Sequence, residues 1–406
     1  MVLHHSGLHM TLNLNNRILT TLTLWFWAFT VHAGQVGNIT YSGNGYYTIG
    51  IGKMLSGTHV NVENYNCPCL ISDYAQAAVY DGRSSLQWKP DSKLGVQGTA
   101  SNKGVSLTTQ IVARGASGSA DLEWLYGNYD LNDKMSIQLG RKRLPMFYYS
   151  DVQDIGFALP WTHLPPGLYG WEAVNYNGVN VRYQDHWERW TSTANLLAGS
   201  ESNNNSGYWK IYNGRQSRSN INWSNIWGGD LTLSKDWHET RLVYIQSNTQ
   251  ENLVSGEWNP NTQSYTLASS VIYPLAKQQI YGLTFKADYH NWLFHSEIVQ
   301  IDHPGLNYKD HAQLLALGYH YEQWQPIFTW GRYKGTAVNN GLLPGVQPWN
   351  YSQDVQQTVS ISIRYDVTAT SDLKVQFDSE TDHSDPGYSP NYGNARLLTF
   401  TYDRVF

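Results

Sequence analysis

Apolar and polar side chains alternate along several short stretches of the chain, and residues 394–406 show the pattern most clearly. One parity of this stretch holds Leu398, Phe400, Tyr402 and Phe406, and the other holds Thr399, Thr401, Asp403 and Val405. Side chains on a strand point alternately to opposite faces, so the pattern predicts a strand with one apolar face. A strand that is apolar outside, polar inside and aromatic at its end is typical of a membrane barrel wall.

The same period of two occurs in residues 105–113, 281–289, 359–367 and 373–377. Charged residues in or beside these stretches fall on the parity opposite the apolar one; examples are Arg114, Lys286, Asp288, Arg364, Asp366, Lys374 and Asp378. A soluble β-sandwich also has one apolar and one polar face, so the period alone does not distinguish it from a barrel.

The connections between these stretches favour the barrel. Short polar turns recur at 101–104, 132–133, 184–187, 236–238, 290–291, 322–323 and 368–371. They alternate with long connections rich in Gly, Asn, Ser and Pro at 144–173, 199–225, 249–276, 335–354 and 381–393. Short turns at one end and long loops at the other are typical of outer-membrane barrels.

Counting hairpins gives the size of the predicted barrel. Seven short turns join fourteen strands, and one strand at each end raises the total to sixteen, with fourteen or eighteen as the alternatives. The predicted strands are 78–88, 92–101, 104–114, 119–130, 134–143, 174–184, 187–198, 226–236, 238–248, 277–289, 292–302, 310–322, 324–334, 355–367, 371–380 and 394–406. The fold class is therefore an all-β, antiparallel transmembrane barrel over residues 78–406.

Composition agrees with this fold and excludes other classes. Aromatic residues make up 14% of the 406 residues, including 29 Tyr and 17 Trp, which favour strands and membrane interfaces. Many of them fall beside the predicted turns, as expected for interfacial girdles. A mean hydropathy of -0.46 excludes a bundle of apolar membrane helices. A net charge of -5 gives no basic excess that would indicate nucleic acid as a partner.

The first 33 residues read as a secretory signal. Arg17 precedes a mostly apolar run over 18–31, and Val31-His32-Ala33 resembles a cleavage site. We expect removal of residues 1–33, with Met10 as an alternative start, and export of the remainder. Residues 34–77 have no assigned place and could form a plug segment or an extra hairpin.

The two cysteines, Cys67 and Cys69, flank Pro68. A strained disulfide, a metal ligand pair and free thiols are the three alternatives. Cysteines this close in sequence rarely reach good disulfide geometry, and two thiols are too few for a closed zinc site. Together with the absence of catalytic sequence motifs, this leads us to expect neither a cofactor nor a resident metal nor an enzyme activity.

The strand count, the connections and the aromatic ending together resemble those of Gram-negative general porins. The resemblance implies a homotrimer in the outer membrane whose third long loop folds into the barrel and narrows a water-filled pore. The strand count places loop 144–173, which is rich in proline and aromatic residues, in that position. The resemblance also implies that Phe400, Tyr402 and Phe406 form the ending that is recognised during barrel assembly.

Residues of the narrowed pore follow from the same resemblance. Loop candidates are Tyr148, Tyr149, Asp151 and Asp154, whose acids would face basic wall residues across a narrow gap. The wall candidates are Arg83, Arg114, Lys142, Lys286, Arg364 and Lys374. Arg141 and Arg143 share parity with apolar residues, so we expect them at the outer rim, near lipopolysaccharide phosphates.

Two functions remain open at this point. A general porin would pass ions and small hydrophilic solutes passively. The richness in Trp and the long loops 199–225 and 335–354 are also compatible with an outer-membrane lectin or polysaccharide-handling barrel, since sugars stack on aromatic faces. A channel specific for a sugar or a carboxylate lies between the two.

Overall fold

A computed structural model gives the structure of the protein and describes residues 33–82, 85–259, 264–304, 308–337 and 353–406. The predicted signal segment, apart from Ala33, and the wall candidate Arg83 lie outside these residues. Most of loop 335–354 lies outside them as well.

Sixteen antiparallel strands of the described chain form a closed barrel, which confirms the predicted fold class and count. They are β1 Ile39–Gly57, β2 Lys93–Asn102, β3 Val105–Arg114, β4 Ser119–Asp130, β5 Met135–Arg143, β6 Asn175–Trp187, β7 Trp190–Asn203, β8 Arg218–Lys235, β9 His238–Asn259, β10 Ala276–Tyr289, β11 Trp292–His303, β12 Tyr308–Tyr319, β13 Trp324–Ala337, β14 Asp354–Thr368, β15 Ser371–Asp382 and β16 Ala395–Val405. Two short strands, Gly34–Val36 and Ser264–Ile272, extend β1 and β9 beyond the wall.

The barrel closes between β1 and β16, where Tyr46 pairs with Val405 and Met54 pairs with Leu397. The prediction of a first strand at 78–88 was therefore wrong. Within that range, Ala78–Asp81 pairs instead with Cys69–Asp73 in a hairpin separate from the wall. The count stayed at sixteen because one strand was wrongly included and another was missed.

Glycines explain why β1 was missed. Its inward parity includes Gly50 and Gly52, so the expected alternation of side chains is interrupted. A Cβ at Gly52 would lie 2.5 Å from the ring of Tyr80, and one at Gly50 would lie 2.9 Å from Cβ of Asp91. The strand is glycine-rich because the first long loop packs directly against it.

The outward faces carry the expected apolar belt, with exposed residues such as Leu139, Leu196 and Ile361. Aromatic pairs border it at the end with short turns, for example Trp292 with Tyr319, whose ring centroids lie 4.9 Å apart. A second aromatic row lies nearer the long loops and comprises Trp227, Tyr244 and Tyr281. Along β10, Tyr281 and Tyr289 are separated by about 26 Å, a distance suited to an apolar bilayer core.

The inward faces differ between two parts of the wall. β14, β15 and β16 point polar residues inward, as predicted from their alternation; examples are Ser362, Lys374 and Thr401. β9 to β13 instead point many apolar residues inward; buried members are Val243, Ile245, Ile280, Leu293, Val299, Ile301, Ala312, Leu314, Ala316 and Ile327. These strands point apolar residues inward because the lumen there is filled by protein.

Among the residues that the structure describes, helical structure is limited to the connections. The helix α1 Gly207–Asn213 lies there between β7 and β8, and two 3₁₀ turns cover Ser150–Val152 and Gly156–Ala158. No helix in the described ranges is long and apolar enough to cross a membrane.

Candidate functional site

The loop between β5 and β6, residues 144–174, lies inside the barrel, as predicted. Most of its apolar side chains are almost fully buried: Leu144, Met146, Phe147, Tyr149, Leu159, Trp161, Leu164, Leu168, Tyr169 and Trp171. They form one cluster with the inward apolar residues of β9 to β13. Burial of this much apolar surface holds the loop against that part of the wall.

Polar contacts fix the loop on the same side. The indole nitrogen of Trp161 donates to Thr329 Oγ1 over 2.8 Å. The backbone nitrogen of Tyr148 donates to Glu297 Oε1 over 2.8 Å. Arg241 donates to the carbonyl oxygens of Pro145 and Phe147 over 3.1 and 2.8 Å. Backbone groups of the loop that burial would leave unpaired are thus satisfied by wall side chains.

Asp154 anchors the loop to the opposite side. Its carboxylate accepts two hydrogen bonds from the Arg114 guanidinium, of 2.9 and 2.7 Å, and a third from Arg143. Glu123 completes the cluster, with an Arg114 contact of 2.6 Å and an Arg143 contact of 3.2 Å. Burial opposes ionisation of Asp154, but Arg114 and Arg143 outweigh it and lower the pKa of this carboxyl.

This cluster revises two expectations. Arg114 and Asp154 are in direct contact, so no water-filled gap separates them. Arg143 is buried in the lumen, and its expected place on the outer rim was wrong. Gly140 has φ +136 in the same strand, and β5 turns into the loop soon afterwards, so simple alternation fails at its end.

Lys374 forms a second anchor. Its ammonium group donates to the carbonyl oxygen of Gly156 over 2.8 Å and to Asp403 over 2.7 Å, and it also contacts Asp372 at 3.0 Å. A Cβ at Gly156 would lie 1.8 Å from Asp403 Oδ1, so the loop reaches this depth only with glycine here. Lys374 is fully buried and serves as an attachment point for the loop.

His163 forms a third anchor that joins two loops to the wall. Its Nδ1 lies 3.1 Å from Asp91, which belongs to the first long loop, and its Nε2 lies 3.4 Å from Asp378 on β15. Burial alone would lower the pKa of His163, but the two carboxylates raise it to about 10. The imidazolium is therefore a permanent cation between two acids at neutral pH.

Two further wall candidates, Arg364 and Lys286, also contact the inserted loop. Arg364 donates to the carbonyl oxygens of Phe157 and Leu159 over 2.6 and 3.2 Å. Lys286 lies over the ring of Tyr148, with its nitrogen 5.4 Å from the centroid. Tyr149 is buried, and its ring packs edge-on against Trp161 at 5.6 Å.

The first long loop, residues 58–92, also enters the barrel. Its hairpin packs on β1, with Tyr80 fully buried and its hydroxyl donating to Asp91 over 2.8 Å. Cys67 and Cys69 form a disulfide in this loop, although their spacing argued against one. The backbone brings their Cα atoms within 4.4 Å, which is inside the range of bonded cysteines.

One side of the lumen retains exposed charges. Asp151 projects from the inserted loop and is exposed. It lies within electrostatic range of Lys142, which points inward from β5 beside Gln138. Arg182, on the inward parity of β6, is also exposed and lies in the same region. We call Asp151, Lys142 and Arg182 the charged strip.

Sequence reasoning missed several members of these anchors. Arg182 was recognisable from its parity with Asn180 and Gln184. Glu123 could not be found by parity, because the register shifts between Gln110 and Ile111 on the paired strand. Asp91 and His163 come from separate loops, and no sequence spacing relates them.

The end of β16 has the expected orientation. Phe400 and Tyr402 face outward, and the ring of Tyr402 lies 6.0 Å from that of Tyr47 on β1. Phe406 exchanges backbone hydrogen bonds with Gly45 and packs its ring 6.3 Å from Tyr47. The role of these residues in assembly stays a prediction.

Comparison with known proteins adds information on the fold. No protein-family model matches the chain, and no curated protein matches its sequence. The outer membrane channel DcaP of Acinetobacter baumannii is 10% identical, with a TM-score of 0.55, and the match covers 92% of this chain and 100% of DcaP. The anion-selective porin of Comamonas acidovorans is 9% identical, with a TM-score of 0.53, covering 91% and 100%.

A third structure is the trimer form of OmpT, an outer membrane protein of Vibrio cholerae. It is 8% identical, has a TM-score of 0.50, and the match covers 91% of this chain and 100% of OmpT. Identities this low show a shared fold alone. The chain therefore has the closed, sixteen-stranded architecture of outer-membrane porin barrels.

Proposed function

We propose that the protein is an outer-membrane channel of a Gram-negative bacterium that passes ions and small hydrophilic solutes by passive diffusion. It is a transporting barrel and carries out no enzymatic reaction. The pore is narrow, because loops 58–92 and 144–174 occupy much of the lumen. Solutes pass along the charged strip, on the side of the lumen away from the apolar cluster.

The observation that carries this proposal is the unequal filling of the lumen. On one side apolar residues of the loop and the wall exclude water, whereas on the other Asp151 and Arg182 remain exposed inside the barrel. Opposed charges across a narrow aqueous gap produce a transverse field that acts on passing solutes. Charges that stay exposed inside the barrel indicate that this side of the lumen holds water, which a conducting channel requires.

Single-channel recording in planar bilayers tests the proposal. We expect small, ohmic current steps from the folded barrel. A barrel that inserts, resists denaturation as a folded species, and gives no current steps would contradict the channel.

We also propose a homotrimer, supported by the trimeric form of a structural neighbour. Chemical cross-linking of the protein in detergent should give a ladder that ends at three copies. A ladder that stops at one copy would contradict this assembly.

Lipopolysaccharide is the proposed lipid partner. Arg332 and Lys334 lie on the outward parity of β13, beyond the apolar belt residue Trp330, and both lie within electrostatic range of His311 on the neighbouring strand. Basic side chains at this height suit lipid phosphates. Replacing both by serine should reduce the amount of lipopolysaccharide that co-purifies, and an unchanged amount would argue against this surface.

A further inference from the structure

A second cavity lies at the end of the barrel that carries the long loops. It has a volume of about 720 Å³ and is bounded by the first long loop, the turn after β3, the ends of β4 to β7 and the start of α1. The volume falls within the range of small-molecule binding sites. We call this space the outer cavity. It lies apart from the charged strip, since neither Asp151 nor Lys142 lines it.

Charge in the outer cavity is balanced. Four carboxylates line it, together with four lysines and arginines. Two pairs are already formed inside it, Arg141 with Glu201 at 2.8 Å and Arg215 with Asp81 at 3.2 Å. A charged ligand would have to disrupt these pairs or face a compensated field, so the site favours a ligand without net charge.

The same lining is rich in hydrogen-bonding groups. Six asparagine or glutamine side chains and three serines border the cavity. Each paired arginine has five donors, more than one carboxylate can accept, and can form charge-assisted bonds to a further oxygen. A ligand that matches these groups must offer many hydroxyl donors and acceptors.

An aromatic side chain completes the site. Trp88 lines the cavity and remains 59% exposed, on a loop outside the apolar belt. Its indole is therefore open to a ligand, and a ligand that covers this face would remove apolar surface from water. Tyr65 adds a second ring, which already packs against the guanidinium of Arg215 at 5.4 Å.

We propose that the outer cavity binds a neutral oligosaccharide, which stacks a sugar face on Trp88 and hydrogen-bonds to the Arg141–Glu201 pair. A sugar is uncharged, carries many hydroxyl groups and has apolar C–H faces, which are the three properties that the lining selects. The inference rests on the proposed channel only in so far as it names the sugar as a solute of that channel. Binding of the sugar can be measured whether or not the barrel conducts.

The test uses the full folded protein in detergent, titrated calorimetrically with maltose, sucrose and lactose, and separately with citrate and spermidine. We expect at least one sugar to bind saturably, with a Kd of about 1 mM, and the two charged probes to bind more weakly. Preferred binding of citrate or spermidine, or no saturation by any sugar at about 100 mM, would overturn the proposal.

Variants locate the binding. Trp88→Ala should lower the affinity for the sugar by about tenfold. Trp187→Ala, which removes an exposed indole at the opposite end of the barrel, should leave the affinity unchanged. Glu201→Gln leaves Arg141 without its carboxylate partner, so it should weaken binding of the sugar and strengthen binding of citrate. Equal affinities in the wild type and both cavity variants would overturn the assignment to this cavity.

The two proposals fail separately. A barrel that conducts ions and binds no sugar overturns the outer cavity site and leaves the channel intact. A barrel that binds sugar through Trp88 and does not conduct overturns the channel and retains the site.

Discussion

β9 to β13 and β14 to β16 belong to the same wall but hold the inserted loop by different physics. The first part presents mostly apolar residues inward, and the loop is bound there by burial of apolar surface, supplemented by hydrogen bonds to Arg241, Glu297 and Thr329. The second part presents charged and polar residues inward and binds the loop through Lys374, Arg364 and Asp378. Apolar contact tolerates small shifts, whereas buried ion pairs define one position of the loop.

The difference also shows how far sequence alternation can be read. The central parts of β14 to β16 alternate, because lipid lies on one side and polar contacts on the other. β12 contains Leu314, Leu315, Ala316 and Leu317 in succession, because lipid lies outside and the loop lies inside. An uninterrupted apolar strand in a barrel therefore marks where the lumen is filled.

The largest expected effect comes from Lys374. Lys374→Met would remove the cation that Asp372 and Asp403 share, leaving Asp403 buried without it and Asp372 paired only with Arg364. We expect a loss of about 3–5 kcal/mol in the free energy of unfolding, measured by urea titration in lipid vesicles. The matched control is Lys277→Met at an exposed outward position, where a change within about 0.5 kcal/mol is expected. Equal effects of the two substitutions would remove the distinction between anchoring and surface charge.

Leu314 and Leu315 test the apolar part of the wall. Leu314 is 1% exposed and faces the loop, whereas Leu315 is 44% exposed and faces outward. Leu314→Ala should lower the free energy of unfolding by about 2–5 kcal/mol, because a cavity forms beside the loop. Leu315→Ala should cost about 1 kcal/mol or less, because lipid fills the space. The same titration measures both, and a larger loss at Leu315 would contradict the filled lumen.

His163 gives the comparison a pH dependence. Its folded pKa, about 10, is raised above the ordinary 6.5, so its stabilising contribution is complete below about 6.5. The contribution falls as pH increases from there and is lost as pH passes about 10. We therefore expect the channel conductance to rise between pH 9 and 11 as the loop loosens, roughly twofold for one weakened anchor.

The His163→Gln variant is the control, because it cannot acquire the charge. Its conductance should already be raised at neutral pH and should change less over the alkaline interval. Identical pH profiles for variant and wild type would show that other groups control the alkaline response.

The smallest effect is expected at Asp151. Asp151→Asn removes one exposed negative charge from the charged strip and should shift the permeability ratio towards anions about twofold. Reversal potentials across a salt gradient measure this shift, and Lys142→Met should move them the opposite way. Asp154→Asn should instead destabilise the loop, because Asp154 is buried between two arginines. Equal reversal potentials for Asp151→Asn and wild type would place Asp151 away from the conducting path.

The sequence predicted the fold well, because each element of the barrel wall carries a local signal. Short turns, long loops and outward apolar parity depend on neighbouring residues, so fifteen of the sixteen wall strands could be found, whereas the insertion of loop 144–173 was implied by the porin resemblance. The position of β1 could not be found, because Gly50 and Gly52 interrupt its alternation. Glycine is needed there to make room for Asp91 and Tyr80 of the first long loop, which is a contact that the local sequence does not show. The disulfide was missed for a similar reason, since local spacing argued against it and the loop backbone allowed it.

The candidate site was predicted only in part. Arg114, Lys374 and Arg364 were recognised as lumen residues because parity reports which way a side chain points, and Asp154 because the porin resemblance placed its loop in the lumen. Their partners could not be derived, because contacts across the lumen join segments that are far apart in sequence. Parity therefore identified charged residues that were expected to border water and that the structure shows to be buried anchors.

The contact of Asp403 with Thr48 has a consequence for how the protein folds. These residues are 355 positions apart, and their hydrogen bond lies at the seam between β1 and β16. Asp403 also touches Lys374 and Gly156, so the contacts at the seam include the inserted loop. Pairings over such separations form slowly. Asp403 therefore couples closure of the seam to seating of the loop, because its carboxylate contacts β1 and lies against the loop.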